Sequence, residues 1–122
     1  MDVEINTVYT YDANKNKLTE TLGAPMANYG FSTTSYDAEN RLTTWSRSDG
    51  NQNQSWNLSL AGDWNTFTEN GTPQARTHNA VHEVLTAGSM TLGHDANGNL
   101  TSVTGYPVQG VWDFDNRLLS AT

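Results

Sequence analysis

The chain lacks cysteine, has few basic residues and has no long apolar segment, and each absence excludes a class of protein. With no Cys among its 122 residues, disulfide frameworks, thiolate zinc sites and cysteine nucleophiles are excluded. Six Lys and Arg, spread along the chain, face 13 Asp and Glu, for a net charge of −7. Nucleic acid and anionic membranes bind through basic patches, so neither partner is expected. No apolar run approaches the roughly 20 residues that span a bilayer, so we expect no membrane insertion.

Charged residues make up only 16% of the chain, yet four Trp, five Tyr and three Phe are present. Disordered chains are usually rich in charge and poor in aromatics, so this chain is expected to fold. The N-terminus lacks the basic and apolar regions of a secretion signal. Strand-like sequence follows Met1 at once, which suggests a segment of a longer protein.

A repeated unit of about eight residues dominates the sequence. Its clearest copies are residues 36–43, 94–101 and 112–119, and a further copy at 11–19 has one extra residue before its leucine. Two weaker copies begin at Leu58 and His78. The acidic or polar position of the unit falls at 12, 37, 59, 79, 95 and 113. The spacing suits two short strands and two turns per unit.

Each unit has the chemistry of a β-hairpin. An Asp such as Asp37 can accept hydrogen bonds from backbone N–H groups two residues on. Three positions later come residues that tolerate the left-handed conformation, which closes a type I turn with a bulge: Asn40, Gly62, His82, Gly98 and Asn116. An aromatic, His or Leu residue precedes the turn and an apolar residue follows it, so the two can meet across the ladder. Turns are predicted at 38–40, 60–62, 80–82, 96–98 and 114–116.

The segments between the turns alternate in polarity as half-buried strands do. Val3 to Tyr11, Trp56 to Leu60 and Met90 to His94 follow this pattern. Residues 22–30 and 48–54 are rich in Gly, Pro, Asn or Gln and are predicted to be loops. No stretch sustains helical periodicity. The predicted fold is all-β, an antiparallel sheet of consecutive hairpins in a partial shell, with residues 1–122 as a single segment.

These turns resemble the YD repeats of Rhs proteins, wall-associated bacterial proteins and teneurins. The form Y-D-x-x-G/N-x-L-T recurs at 36–43 and, with His in place of Tyr, at 94–101, and residues 112–118 are similar to the F-D-x-x-N-R-L variant. The resemblance implies a ribbon of hairpins that forms part of a shell, in bacterial members around a toxic C-terminal domain released by self-cleavage. The D-P-x-G motif that ends such shells is absent, so no cleavage site is carried over.

Two metal-like patterns have simpler interpretations. Residues 12–16 and 95–99 each have the D-x-N-x-N start of a calcium loop, but the Gly and Glu expected at positions six and twelve are missing. His78 and His82 have a zinc spacing only on a helix. Turn and packing roles explain both sets, so no metal or other cofactor is expected. No G-x-S-x-G elbow or other catalytic motif is found, and the chain is not expected to be an enzyme.

Aromatic side chains supply the candidate ligand site. Trp64 and Trp112 hold repeat positions and are expected to be buried, whereas Trp45 and Trp56 flank the polar residues 47–55. Trp45 and Trp56 are therefore the candidate surface residues for stacking on a sugar, because amphipathic rings favour interfaces.

The expected function is that of a structural, encapsulating segment of a larger secreted or cell-surface protein of the toxin type. Its expected partners are flanking repeats or the enclosed C-terminal domain. Binding of carbohydrate or another surface ligand is the alternative. The outer strands, near residues 3–11 and after Leu118, are expected to associate with other chains through their unpaired edges.

Overall fold

A computed structural model describes residues 6–122, apart from the side chain of Val108. These residues form twelve strands and one 3-10 turn, Ala27–Tyr29, without an α-helix. The strands are β1 Thr7–Tyr11, β2 Lys17–Leu22, β3 Phe31–Tyr36, β4 Leu42–Arg47, β5 Asn53–Leu58, β6 Trp64–Glu69, β7 Thr72–His78, β8 Val84–Ala87, β9 Met90–His94, β10 Leu100–Val103, β11 Tyr106–Trp112 and β12 Leu118–Ala121. The predicted all-β, antiparallel fold is confirmed. Within the described part of the chain, no helix is long and apolar enough to cross a membrane.

The chain divides into two compact units, Met1–Pro73 and Gln74–Thr122. In each unit the strand order follows the chain order. The first unit contains β1 to β6, and the second begins within β7 and continues to β12. Every hairpin of a unit is therefore built from segments that are adjacent in the chain. Pairing between the strands of successive hairpins then positions the two faces of the unit.

All five predicted turns form, and each predicted closing residue adopts the left-handed conformation. Their φ angles are 61° at Asn40, 96° at Gly62, 66° at His82, 84° at Gly98 and 60° at Asn116. The residues before and after each turn are cross-strand partners, as expected: Tyr36 with Leu42, Leu58 with Trp64, His78 with Val84, His94 with Leu100 and Trp112 with Leu118. A register shift accompanies every pair, which confirms the bulge that this turn type requires.

The copy at 11–19 forms the same turn, with no extra residue inside it. Lys15 closes the turn at φ 68°, and Lys17 is the cross-strand partner of Tyr11. Lys17 thus stands where the other copies have an apolar residue. Its Nζ lies 3.8 Å from the centre of the Tyr9 ring, so the aliphatic stem and a cation–π contact replace an apolar pair.

Two details of the sequence prediction were wrong. Leu60 does not continue the strand before the third turn. It lies at the turn tip, where it is 98% exposed, because the strand ends at Leu58. Asn53 and Gln54 are not loop residues but begin β5, where pairing with Ser46 and Trp45 outweighs their polar character. Val3 and Ile5 lie outside the described residues.

The first unit has one apolar and one polar face. Register pairs Trp45 with Gln54 and Trp56 with Phe67, so these side chains share a face. Tyr36, Leu42, Leu58 and Trp64 extend the same face through their own pairings. On the opposite face, Ser35, Thr44, Ser55 and Thr68 form a continuous cross-strand row. Among described hydrophobic residues only Ala87, in the second unit, is buried, at 8% exposure.

Candidate functional site

The side chain that opens each turn binds the turn backbone. Oδ1 of Asp37 accepts the N–H groups of Glu39 and Arg41 at 3.0 and 2.9 Å. Equivalent pairs of bonds reach Asp12, Asn79, Asp95 and Asp113. Ser59 Oγ accepts the Asp63 N–H at 3.0 Å. The carboxylates of the two calcium-like loops are therefore occupied by turn N–H groups, as the turn interpretation predicts.

A second residue, four positions after the first, completes each turn and was missed by the sequence reasoning. Arg41 donates from Nε to Oδ2 of Asp37 at 2.7 Å, and Asn16 donates to Oδ2 of Asp12 at 3.0 Å. The same bond joins Asn99 to Asp95 and Arg117 to Asp113. The signal was present, because every copy carries at that position a polar residue that can donate a side-chain bond to the opening residue or accept one from it: Asn16, Arg41, Asp63, Glu83, Asn99 and Arg117.

The same second residue also reaches the next turn of its unit. Nη1 of Arg41 donates to the carbonyl oxygens of Ser59 and Leu60 at 2.9 and 3.3 Å. The amide of Asn16 donates to Asn40 Oδ1 at 2.8 Å, and in the second unit the Asn99 amide donates to Asn116 Oδ1 at 2.9 Å. These bonds form a ladder along the turn ends of the strands, which we call the turn ladder.

Hydrogen bonding favours the ionised form of the aspartates in the turn ladder. The Asn16 amide, with backbone N–H groups, lowers the pKa of Asp12. The backbone N–H of Arg41, followed by its guanidinium, lowers the pKa of Asp37. The pKa values of Asp95 and Asp113 are lowered in the same way, led by the Asn99 amide and by the Arg117 N–H respectively. These carboxylates act as structural acceptors, a role that requires the charged form.

The histidines take the positions that the repeat predicts for them. His78 and His94 precede their turns as cross-strand partners of Val84 and Leu100, and His82 closes a turn. Among residues 6–122 no group of three His, Asp or Glu side chains is arranged to hold a metal ion.

An aromatic cluster occupies the apolar face of the first unit. The ring of Trp56 lies 5.8 Å from that of Trp64 and 5.9 Å from that of Phe67, and the Trp64 and Phe67 rings are 5.6 Å apart. These are the tilted and edge-on arrangements that aromatic pairs prefer. Trp45 lies on the same face, in the adjoining strand β4.

The expected order of tryptophan exposure was wrong. Trp64 was expected to be buried but is 39% exposed, whereas Trp45 and Trp56 are half-buried. Trp112 is also half-buried rather than buried. Even the repeat positions are thus partly open to solvent, and sequence periodicity carries no information about what covers a face of a sheet. Nε1 of Trp56 is inaccessible to solvent and has no hydrogen-bond partner among the described residues.

Each unit also has a shallow groove. In the second unit Leu100, Val103, Tyr106, Trp112 and Leu118 line an apolar groove of about 320 Å³. Trp112 is held there by a 2.9 Å bond from Nε1 to the Leu100 carbonyl. Gly110 lies beneath the ring, where an added Cβ would approach Leu100 O to 2.8 Å. The groove of the first unit, about 280 Å³, is on the polar face and includes Thr44, Ser55 and Thr68.

No model of a protein family matches this chain, and no curated protein matches it either.

Proposed function

We propose that this chain is a structural, encapsulating segment of a larger secreted or cell-surface protein of the Rhs/YD-repeat type, without catalytic activity of its own. The observation that carries the proposal is the turn ladder. Six hairpin turns repeat one arrangement of backbone, opening residue and second residue, and the opening aspartates, Asp12, Asp37, Asp95 and Asp113, are engaged in holding it. In such a repeat protein each hairpin is stabilised by the hairpins next to it, and together the hairpins build an extended surface.

The aromatic cluster supports the encapsulating part of this proposal. Contiguous apolar surface that reaches solvent marks an interaction site, and on this face the exposed ring of Trp64 adjoins the half-buried rings of Trp56 and Phe67. In the proposed parent protein that face meets flanking repeats or the enclosed C-terminal domain. Its location at the cell surface or outside the cell follows from the family resemblance alone.

Acrylamide quenching of tryptophan fluorescence tests the proposal. Trp112→Phe, made in the isolated chain and in the parent polypeptide, removes the indole of the second unit so that the first unit dominates the signal of this segment. The remaining Trp of the parent are replaced by Phe in the same background. We expect strong quenching in the isolated chain and several-fold weaker quenching in the parent. Equal quenching in the two would show that nothing covers the face.

The alternative function is binding of carbohydrate or another surface ligand, favoured by the exposed ring of Trp64 beside half-buried Trp56. Trp45, on the same face, completes the candidate site. A glycan array followed by titration tests this function. Trp64→Ala should abolish binding and Trp112→Ala should leave it unchanged. An array without hits, or binding that survives loss of Trp64, counts against a sugar site on this face.

A further inference from the structure

Hairpin β11–β12 of the second unit repeats the register of hairpin β5–β6 of the first unit, but with smaller residues at one position. The corresponding cross-strand pairs, from the turn outward, are Leu58–Trp64 then Trp56–Phe67 in β5–β6, and Trp112–Leu118 then Gly110–Ala121 in β11–β12. The second pair of each hairpin lies on the apolar face beside the first pair. Gly110 and Ala121 therefore stand where the first unit has two aromatic rings.

The apolar groove of the second unit lies at this position. Gly110 and Ala121 line it together with Trp112, and its volume is about 320 Å³. In the first unit the corresponding place is filled by the rings of Trp56 and Phe67, whose centres are 5.9 Å apart. Apolar cavities left where a large side chain is missing stay free of water and take up aromatic molecules such as benzene. The first unit thus shows what fits the groove of the second, namely an aromatic ring.

The backbone and the Trp112 ring give the groove a fixed shape. Nε1 of Trp112 donates to the Leu100 carbonyl at 2.9 Å, which orients the ring and occupies its single donor. At Gly110 an added Cβ would lie 2.8 Å from that carbonyl oxygen and 3.0 Å from the same Nε1, so a side chain at this position would displace the Leu100 backbone. A site that is already formed loses little conformational entropy when a ligand binds.

The lining of the groove indicates the chemical class of the ligand. None of the described residues that line it is charged, and the net charge of −7 disfavours an anion. Tyr106 and Trp112 contribute aromatic rings to the lining, and aromatic pairs gain from offset and edge-on contacts beyond their buried area. A neutral aromatic molecule satisfies all of these conditions.

We infer that the groove of the second unit is a binding site for a small neutral molecule with one or two aromatic rings. The molecule lies over the Gly110 backbone and against the Trp112 ring, in the place that Trp56 and Phe67 fill in the first unit. This site differs in position and ligand from the candidate sugar site, which lies in the first unit. It also goes beyond the proposed structural function, which needs no small ligand.

Titration of the isotopically labelled chain with unlabelled indole, followed by nuclear magnetic resonance, tests the inference. The side-chain N–H signal of Trp112 is identified by its loss in Trp112→Phe. We expect this signal to shift and to saturate as indole is added, while the signals of Trp45, Trp56 and Trp64 stay in place. No saturable shift of the Trp112 signal, or equal shifts of all four signals, overturns the inference.

Filling the groove should block the site. Ala121→Phe recreates the ring of Phe67, and we expect it to weaken indole binding at least about tenfold because the ring occupies the ligand's place. Ser120→Phe is the matched control, since its neighbouring side chain points to the opposite face and should leave binding unchanged. Val103→Trp, which enlarges another lining residue, replaces Ala121→Phe if that variant unfolds. Unchanged binding in a folded filling variant overturns the inference.

Two further titrations test the class and the source of the ligand. Indoleacetate adds a carboxylate to the probe and should bind several-fold more weakly than indole, so equal binding of the two would overturn the preference for a neutral ligand. In the parent polypeptide the Trp112 signal should respond to indole as it does in the isolated chain. A response that is lost in the parent would show that a polypeptide side chain fills the groove, and would overturn the inference without bearing on the encapsulating function.

Discussion

Four of the six turns are opened by aspartate and two by neutral residues, Ser59 and Asn79, yet the backbone is the same in both groups. In each, the N–H of the fifth residue bonds the opening side chain, and the fourth, closing residue is left-handed. The difference lies in the direction of the side-chain bond. Arg41 donates to Asp37, whereas Asn79 donates to Glu83 and Ser59 donates to Asp63.

This reversal of donor and acceptor shows that the repeated turn is defined by a pair of residues rather than by the aspartate alone. One member of the pair must accept and the other must donate, and either may stand first. A turn that seems degenerate when read at its first position is complete when the fifth is read with it.

The largest expected effect is that of acid, which should destabilise the turns opened by aspartate more than the turns opened by Ser59 and Asn79. Asp12, Asp37, Asp95 and Asp113 have pKa values lowered below 3.8 in the folded chain. A lowered pKa stabilises the fold above the unfolded-state value and loses that contribution as pH falls through the folded value. We expect the melting temperature to be level near neutral pH and to fall steeply below about pH 4, where Asp carboxyls of ordinary pKa begin to protonate. Asp95→Asn should flatten this fall, and an identical pH profile would contradict the assigned role.

A bulky residue at a closing position should have the next largest effect. Gly98 has φ 84°, and a Cβ there would lie 2.9 Å from Glu83 Oε1. Gly98→Val should cost about 1–2 kcal/mol through left-handed strain, and Asn40→Val a similar amount. Thr101→Val, in strand β10, should be mild because Val suits strands. Equal shifts of the denaturation midpoint at these sites would refute the register.

Exchanging donor and acceptor within one turn tests the pair directly. Asp95→Asn combined with Asn99→Asp recreates the order found at Asn79 and Glu83. The single change Asn99→Asp places two carboxylates in contact and should destabilise the chain. The double variant should recover most of that loss, because a donor again faces an acceptor. Additive effects in the double-mutant cycle would mean that the two positions act independently.

The smallest expected effect is a gain in stability. Lys15 closes the first turn at φ 68°, a conformation that costs a residue with a Cβ but not glycine. Lys15→Gly should raise the free energy of unfolding by a few tenths to about 1 kcal/mol, the strain being partly offset by the greater freedom of glycine in the unfolded chain. Gly62→Ala, at φ 96°, should lower it. A destabilised Lys15→Gly chain would show that the left-handed strain at Lys15 is negligible.

Local turn chemistry made much of the fold predictable. Asn40, Gly62, His82, Gly98 and Asn116 were identified as left-handed from residue type and phase alone, since φ depends on the residue and its immediate neighbours. The cross-strand pairs around each turn followed, because a turn type sets the register of its hairpin. The aromatic residues at repeat positions were likewise found, but their exposure was not.

By itself, the sequence determined the all-β class, the turn positions and the hairpin registers, because each depends on contacts between residues close in the chain. Only the tertiary structure decided which tryptophans are open to solvent, since exposure depends on what lies over a face, and Trp64 is 39% exposed. It alone also joined the turns of each unit into the ladder through Asn16, Arg41 and Asn99. Those bonds join residues 17 to 24 positions apart in different hairpins, a separation at which local periodicity no longer constrains geometry.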